Sequence, residues 1–196
     1  MKGFVLAGGL STRMGRDKAL LPFRGRLLIE HAVELLVSVG LDPHIAGSRP
    51  DLRRFAPIVE DLHSGAGPLG GIEAALSNVA EAALFLPVDL PLLPPEFLRL
   101  LLARVGLTGA AATIPTIAGQ PQPLCAVYSR ALLPRISAAL AQGDGKVMRV
   151  VTGLRTDLFS VESVATAQDN FGLPSPPHQW FTNVNSPDDL ARAGTA

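Results

Sequence analysis

Short, continuous apolar runs alternate along this chain with segments whose apolar residues recur every three or four positions. Gly3-Phe4-Val5-Leu6-Ala7 is a run of the kind found in strands covered on both faces. Leu28, Ala32, Leu35, Leu36 and Val39 then recur at helical spacing, and Gly40 is a natural stop. His44–Ala46 and Pro57–Val59 read as short strands, Leu69–Val79 as a helix with one apolar face, and Ala82–Val88 as a strongly apolar strand closed by Asp89. Pro95 opens a leucine-rich helix to about Val105. Such alternation predicts an α/β fold with a mostly parallel sheet and helices on both faces.

The second half is less regular. Ala110–Ile117 and Pro123–Tyr128 read as strands, Ala131–Ala141 and Lys146 to about Thr152 as helices, and Leu158–Val161 as a weak strand. Residues 162–180 carry Pro174, Pro176 and Pro177 and read as an irregular connection, and Ser186-Pro187-Asp188-Asp189 as a helix start. With 196 residues and no internal repeat, a single domain over 1–196 is expected. Within it a regular half would run to about residue 105 and a less regular half from 106 to 196.

Charge and cysteine usage exclude several classes. Lysine plus arginine equals aspartate plus glutamate at 17 each, which argues against bulk binding of nucleic acid or an anionic membrane. Any anion site must therefore be built locally. Cys125 is the only cysteine, so no internal disulfide and no thiolate zinc site can form. No apolar stretch approaches the ~18 residues of a spanning helix, and Met1 leads directly into the first strand-like run. A soluble, cytoplasmic protein is expected.

Open parallel sheets bind ligands outside the carboxyl ends of their strands. Two segments meet that condition. After the first strand, Gly8 and Gly9 let backbone approach a ligand closely, successive N–H groups form an anion-binding concavity, and Arg13 and Lys18 add positive charge. Lys18 is followed by Ala19, so this is not a P-loop, and the glycine spacing excludes the dinucleotide fingerprint. An ordinary glycine turn with solvated charges is the simpler alternative. In the second segment, "FLPVDLPLLPP", Asp89 follows an apolar run between Pro87 and Pro91. A carboxylate there needs a counter-ion, and one aspartate facing a polyphosphate is enough for Mg²⁺. A helix cap or turn is the alternative. "AGPLGG", Ala66–Gly71, adds a turn where backbone can lie against a flat ligand.

"LAGGLSTRMGRDK" resembles the signature of nucleotidyltransferases with a Rossmann-like, GT-A-type three-layer fold and a twisted, mostly parallel sheet. Together with "IVED" at 58–61, "GPLGG" at 67–71, "LPVDLPLLPP" at 86–95, "GDGKVM" at 143–148 and "FTNVNSPDDLARA" at 181–193, the chain most resembles the molybdenum cofactor guanylyltransferases. The resemblance implies GMP transfer from GTP to the terminal phosphate of molybdenum-bound molybdopterin, with Mg²⁺ as cofactor. It implies molybdopterin-synthesis proteins and recipient molybdoenzymes as protein partners. Leu6, Ala7 and Gly8 would present backbone to the guanine and ribose, and Gly9, Arg13 and Lys18 would contact the triphosphate. Asp61 and the turn from Gly67 to Gly71 would seat base and sugar. Asp89 would hold Mg²⁺, and Asn183 and Asn185 would lie by the metal and the acceptor phosphate. Lys146 would face the pterin phosphate. One departure is "HIAGSR", which has Ala46 where the family often carries a nucleotide-contacting asparagine.

The implied chemistry agrees with the residues. A phosphate nucleophile is already anionic, so positioning and charge neutralisation by Mg²⁺, Arg13 and Lys18 replace a general base. His31, His44, His63 and His178 are scattered, and at least three read as structural; His63 is the one that could line the site. Cys125, Trp180 and Phe181 read as packing residues. Two readings stay open beside the leading one: cytidylyl transfer to the same cofactor or nucleotidyl transfer to a sugar phosphate, and a non-catalytic cofactor carrier.

Overall fold

The structure is a computed structural model that describes residues 1–8, 17–63, 65–153, 155–167, 177–184 and 189. In chain order the strands and helices are β1 (Lys2–Leu6), β2 (Pro22–Phe23), β3 (Arg26–Leu27), α1 (Leu28–Ser38), β4 (Asp42–Ala46), β5 (Ile58–Val59), α2 (Gly67–Ser77), β6 (Ala82–Pro87) and α3 (Pro95–Thr108). They continue as β7 (Ala112–Ile117), β8 (Gln120–Pro121), β9 (Ala126–Ser129), α4 (Leu133–Ala141), α5 (Val147–Val151), β10 (Thr156–Ser160), α6 (Val161–Ala167) and α7 (Pro177–Trp180).

The main sheet runs in the order β10-β7-β9-β6-β1-β4-β5, with β8 paired to β7. Strands β5, β4, β1 and β6 are mutually parallel, and β10 is parallel to β7. Strand β9 lies antiparallel between β6 and β7, so the sheet is mixed at the point where the second half of the chain joins it.

Period-2 alternation sorts the strand side chains onto two faces. Val5, Ile45, Leu84, Leu86 and Val127 pack with α1 and α3 through Leu28, Leu36, Phe97 and Leu101. Phe4, Ala46, Ala83, Phe85, Ala126 and Tyr128 pack on the other side with α2, α4 and α5 through Leu69, Ile72, Ile136 and Val150. Phe4 and Val5 are both fully buried, which is why β1 reads as a continuous apolar run rather than an alternating one. The result is a three-layer α/β sandwich.

Some boundaries differ from the sequence reading. Helix α3 passes Val105 and ends at Gly109, whose positive φ lets its N–H close on the Val105 carbonyl at 2.9 Å. Residues 123–125 form a turn, with Cys125 N–H bonded to the Gln122 carbonyl at 3.1 Å, so the strand expected from Pro123 begins at Ala126. The expected irregular connection contains two helices, α6 and α7. Ser160 supplies the N-terminal cap of α6, its Oγ accepting from Ser163 N–H at 3.1 Å. The β2–β3 hairpin was not anticipated because its turn is Arg24-Gly25, with φ 46° and 81°, rather than an asparagine-glycine pair. Of the expected helix start at 186–189, Ser186, Pro187 and Asp188 lie outside the described residues. Among the described residues no helix is long and apolar enough to cross a membrane.

Candidate active site

Strand β1 is the point where the strand order reverses. Helix α1 carries the chain from β1 to β4 on one side, while β6 pairs on the other. In register, Leu6 stands between Ala46 of β4 and Pro87 of β6. Two residues beyond the ends of β1 and β6 stand Gly8 and Asp89, so the register alone brings the glycine loop and the aspartate to the same edge. A cleft of about 510 Å³ opens there. That volume suits a nucleotide-sized ligand.

Nine of the residues expected from the sequence line this cleft: Leu6, Ala7, Gly8, Lys18, Asp61, Gly67, Gly71, Asp89 and Asn183. Gly9, Arg13 and Asn185 lie outside the described residues. Lys146 is exposed at the N-terminal end of α5 and is not among the lining residues. Its neighbour Gly145 faces the Ala66 carbonyl, which places that loop beside the turn that starts α2. His63 does not line the cleft; it is largely exposed, with Nε2 3.6 Å from Oε2 of the buried Glu73. Gln122, Pro123, Leu124 and Cys125 form the opposite wall, which the sequence reading did not include. Burial pushes the Cys125 thiol well above its ordinary range, so it is an inert wall residue rather than a nucleophile.

Lys18 Nζ donates to Asp89 Oδ2 at 2.5 Å, with the two side chains 15% and 20% exposed. The lysine sits on a 3₁₀ turn, Lys18–Leu20, capped by Asp17, whose Oδ1 accepts from Ala19 N–H at 3.0 Å. The other Asp89 oxygen, Oδ1, is buried and has no hydrogen-bond partner among the described residues. Such an atom costs about 1–3 kcal/mol unless something is bound to it. Asp89 lines the cleft, and a hard cation or a donor from a ligand bound there would satisfy this oxygen. Among the described residues no cluster of three or more His, Cys, Asp or Glu side chains could hold a metal alone. The donor set therefore fits Mg²⁺, which takes one or two carboxylates and completes its shell with substrate phosphates and water.

Asp61 follows β5 and lines the cleft, and its Oδ1 is also buried with no hydrogen-bond partner among the described residues. Burial raises its pKa above the ordinary carboxylate value. The adjacent turn into α2 needs its glycines. Gly67 has φ +62°, and a Cβ on Gly70 would come within 2.6 Å of the Ala66 Cβ. This close packing holds Gly67, Pro68 and Gly71 at the cleft wall.

Asn183 arrives from the C-terminal segment. Trp180, fully buried, and Phe181 pack on Phe97 of α3 with ring centroids 5.9 and 5.3 Å away. Val184 N–H then bonds the Asp89 carbonyl at 3.1 Å, which sets Asn183 beside the aspartate. The aromatic pair is thus packing, as the sequence predicts, and its packing positions a site residue.

Sequence reasoning missed a heavily bonded, buried side chain beside the site. Arg49, 8% exposed, follows β4. Its Nε and Nη2 donate to both oxygens of Asp51 at 3.0 and 2.7 Å. Nη1 donates to the Ala7 carbonyl and to Asp17 Oδ1, each at 3.3 Å, while Nη2 also contacts Asp17 Oδ2. The hydrogen bond it donates to Asp51, then that to Asp17, raise the arginine's pKa against the opposing effect of burial; Asp51 is lowered in return. Only the adjacency of Asp17 to Lys18 hinted at this role, and nothing in the periodicity linked it to Arg49.

Several known proteins are similar to this chain over most of its length. A probable molybdenum cofactor guanylyltransferase of Pelotomaculum thermopropionicum is 34% identical over 97% of this chain and 90% of that protein. The molybdenum cofactor guanylyltransferase of Xanthomonas euvesicatoria is 32% identical over 97% of this chain and 92% of its own length. The crystal structure of molybdopterin-guanine dinucleotide biosynthesis protein A from Archaeoglobus fulgidus superposes with a TM-score of 0.81 at 28% identity, covering 100% of this chain and 97% of that one. Residues 3–158 match the MobA-like NTP transferase domain, and the chain belongs to that nucleotidyltransferase family.

Proposed function

We propose that this protein is a molybdenum cofactor guanylyltransferase, transferring GMP from GTP to the terminal phosphate of molybdenum-bound molybdopterin. The observation that carries the reading is the pairing of Lys18 with Asp89, a cleft residue whose second oxygen is buried with no hydrogen-bond partner among the described residues, at the switch point of the sheet. A carrier that only bound the cofactor would have no need of that half-satisfied carboxylate. The names of the 32–34% identical relatives support guanylyl transfer over the cytidylyl alternative.

In this reading Leu6, Ala7 and Gly8 offer backbone groups to the base and ribose, and Asp61 accepts a hydrogen bond from base or sugar. Gly9, Arg13 and Lys18 engage the triphosphate. The acceptor phosphate oxygen forms a bond to the α-phosphorus of GTP, the bond to the β-phosphate bridging oxygen breaks, and pyrophosphate leaves with that oxygen. No proton need be taken from an anionic phosphate, so the protein's contribution is alignment and charge neutralisation. Asp89 would hold Mg²⁺ through Oδ1, and the ion would supply charge neutralisation on the phosphates when bound. Asn183, with Asn185 and Lys146, orients the acceptor side, which residues from 106 onward mostly build. The free, buried Cys125 agrees with a cytoplasmic setting, where molybdopterin-synthesis proteins and recipient molybdoenzymes would be its partners.

The test is Asp89→Ala. GTP binding should be largely retained while pyrophosphate release with loaded acceptor is lost. An unchanged rate would remove Asp89 from the site, and protection of the fold against heat by CTP but not GTP would replace the guanylyl reading with the cytidylyl one.

A further inference from the structure

We propose that Arg49 is a positioning residue that acts through Asp17 to set Lys18 against Asp89. It also screens the Asp17 charge from the incoming triphosphate. A guanidinium has five N–H donors in a rigid fork. Arg49 divides them among two carboxylates, Asp17 and Asp51, and the Ala7 carbonyl, so one side chain fastens three chain segments. Ala7 follows β1 at the cleft, Asp17 immediately precedes Lys18, and Asp51 lies on the 3₁₀ turn Pro50–Leu52 after β4.

Geometry makes the connection to Lys18 direct. Asp17 caps the turn that carries the lysine, and its Oδ1 is shared between Ala19 N–H and Arg49. Moving Asp17 therefore moves the backbone from which Lys18 reaches Asp89. The electrostatics give a second consequence. Asp17 lines the cleft, and an uncompensated carboxylate there would repel a polyphosphate. The fork from Arg49 neutralises it, while Asp51 on the other side keeps the guanidinium in place.

The inference rests on the nucleotidyl-transfer reading for what Lys18 touches, but the clamp can be measured without turnover. The assay is trace acetylation of the Lys18 amine, read by mass spectrometry on the whole folded chain. It compares wild type, Asp17→Asn, Arg49→Lys, Arg49→Gln and, as a control at the exposed Arg53–Glu60 pair, Arg53→Gln. Asp17→Asn keeps size and removes charge; Arg49→Lys keeps charge but cannot fork to two carboxylates, so at least these two should fold. Both should raise Lys18 labelling about tenfold while lowering the melting temperature by several degrees without unfolding the chain, because a charge-assisted bond holding the turn is lost. Arg53→Gln should leave labelling as in wild type.

With GTP and loaded acceptor, Asp17→Asn and Arg49→Lys should lower kcat about tenfold to a hundredfold through misplacement. Arg49→Gln should raise KM for GTP as well, since it exposes the Asp17 charge, and the Asp17→Asn/Arg49→Gln double variant should recover that KM but not kcat. Labelling unchanged within twofold in both folded single variants overturns the proposal. If labelling responds as stated and wild type yields no guanylylated product, the clamp stands and the proposed function falls.

Discussion

Asp61→Asn is expected to stabilise the unliganded protein while weakening its ligand. Asp61 Oδ1 is buried with no hydrogen-bond partner among the described residues, and burial alone raises the carboxyl pKa. A carboxylate raised in the folded state favours folding when protonated. That contribution is fully present below its unfolded value of 3.8 and is lost as pH rises through the higher folded value. At neutral pH the charge is therefore a cost. An isosteric amide removes the charge but still leaves a polar group to satisfy, so recovering about 1 kcal/mol of the roughly 1–3 kcal/mol of an unsatisfied buried group is reasonable. In a domain of this size ~1 kcal/mol raises the melting temperature by about 2–4 °C. Loss of a charged acceptor should weaken GTP by about 1.5–3 kcal/mol, roughly tenfold to a hundredfold. Thermal unfolding of both proteins at pH 7 and again below the carboxylate range, with GTP titration at pH 7, measures all three terms. The stability gain should shrink in acid, where Asp61 is itself protonated. A lower melting temperature for Asp61→Asn at pH 7, or unchanged GTP affinity, would refute the assignment of Asp61 as a site group held at a cost to the fold.

Further substitutions probe the scaffold. A Cβ at Gly3 would lie 2.8 Å from Leu36 Cδ2 and 3.1 Å from Leu41 Cδ1, so Gly3→Ala should cost about 1–3 kcal/mol of overpacking in chemical denaturation. No loss would mean that α1 can shift away from β1 freely. Ala118 has φ +48° in the two-residue turn before Gly119, so Ala118→Asn should stabilise by about 0.5–1 kcal/mol, read as a higher urea midpoint at constant slope. Glu162, lowered chiefly by the Ala118 N–H it accepts at 2.6 Å, contributes stability present above its unfolded value of 4.5 and lost as pH falls through its lower folded value. Glu162→Gln should accordingly destabilise at pH 7 and converge with wild type in acid.

How much of this was legible in the sequence depends on whether a residue's role is local. Strands β1 and β6 are buried on both faces, so their apolar runs announce them, and the two-residue offsets to Gly8 and Asp89 follow once the strands are neighbours. The same holds for the Gly67–Gly71 turn, where Gly67 is required by its positive φ and Gly70 by contact with Ala66. Arg49 was not legible, because its meaning lies in partners at positions 7, 17 and 51 that only the fold assembles. The wall from Gln122 to Cys125 was missed for the same reason: β9 inserts antiparallel beside β6, and no local pattern specifies that neighbour. Helix α6 was hidden behind the proline-rich stretch that follows it, although its Ser160 cap was present in the sequence.

The most direct measurement of the central claim is the mass of the product formed from loaded molybdopterin, Mg²⁺ and each of GTP, CTP and ATP in turn. The account requires a guanine dinucleotide product and stoichiometric pyrophosphate with GTP, both abolished by Asp89→Ala. Product from CTP in preference to GTP, or turnover that survives Asp89→Ala, would contradict it.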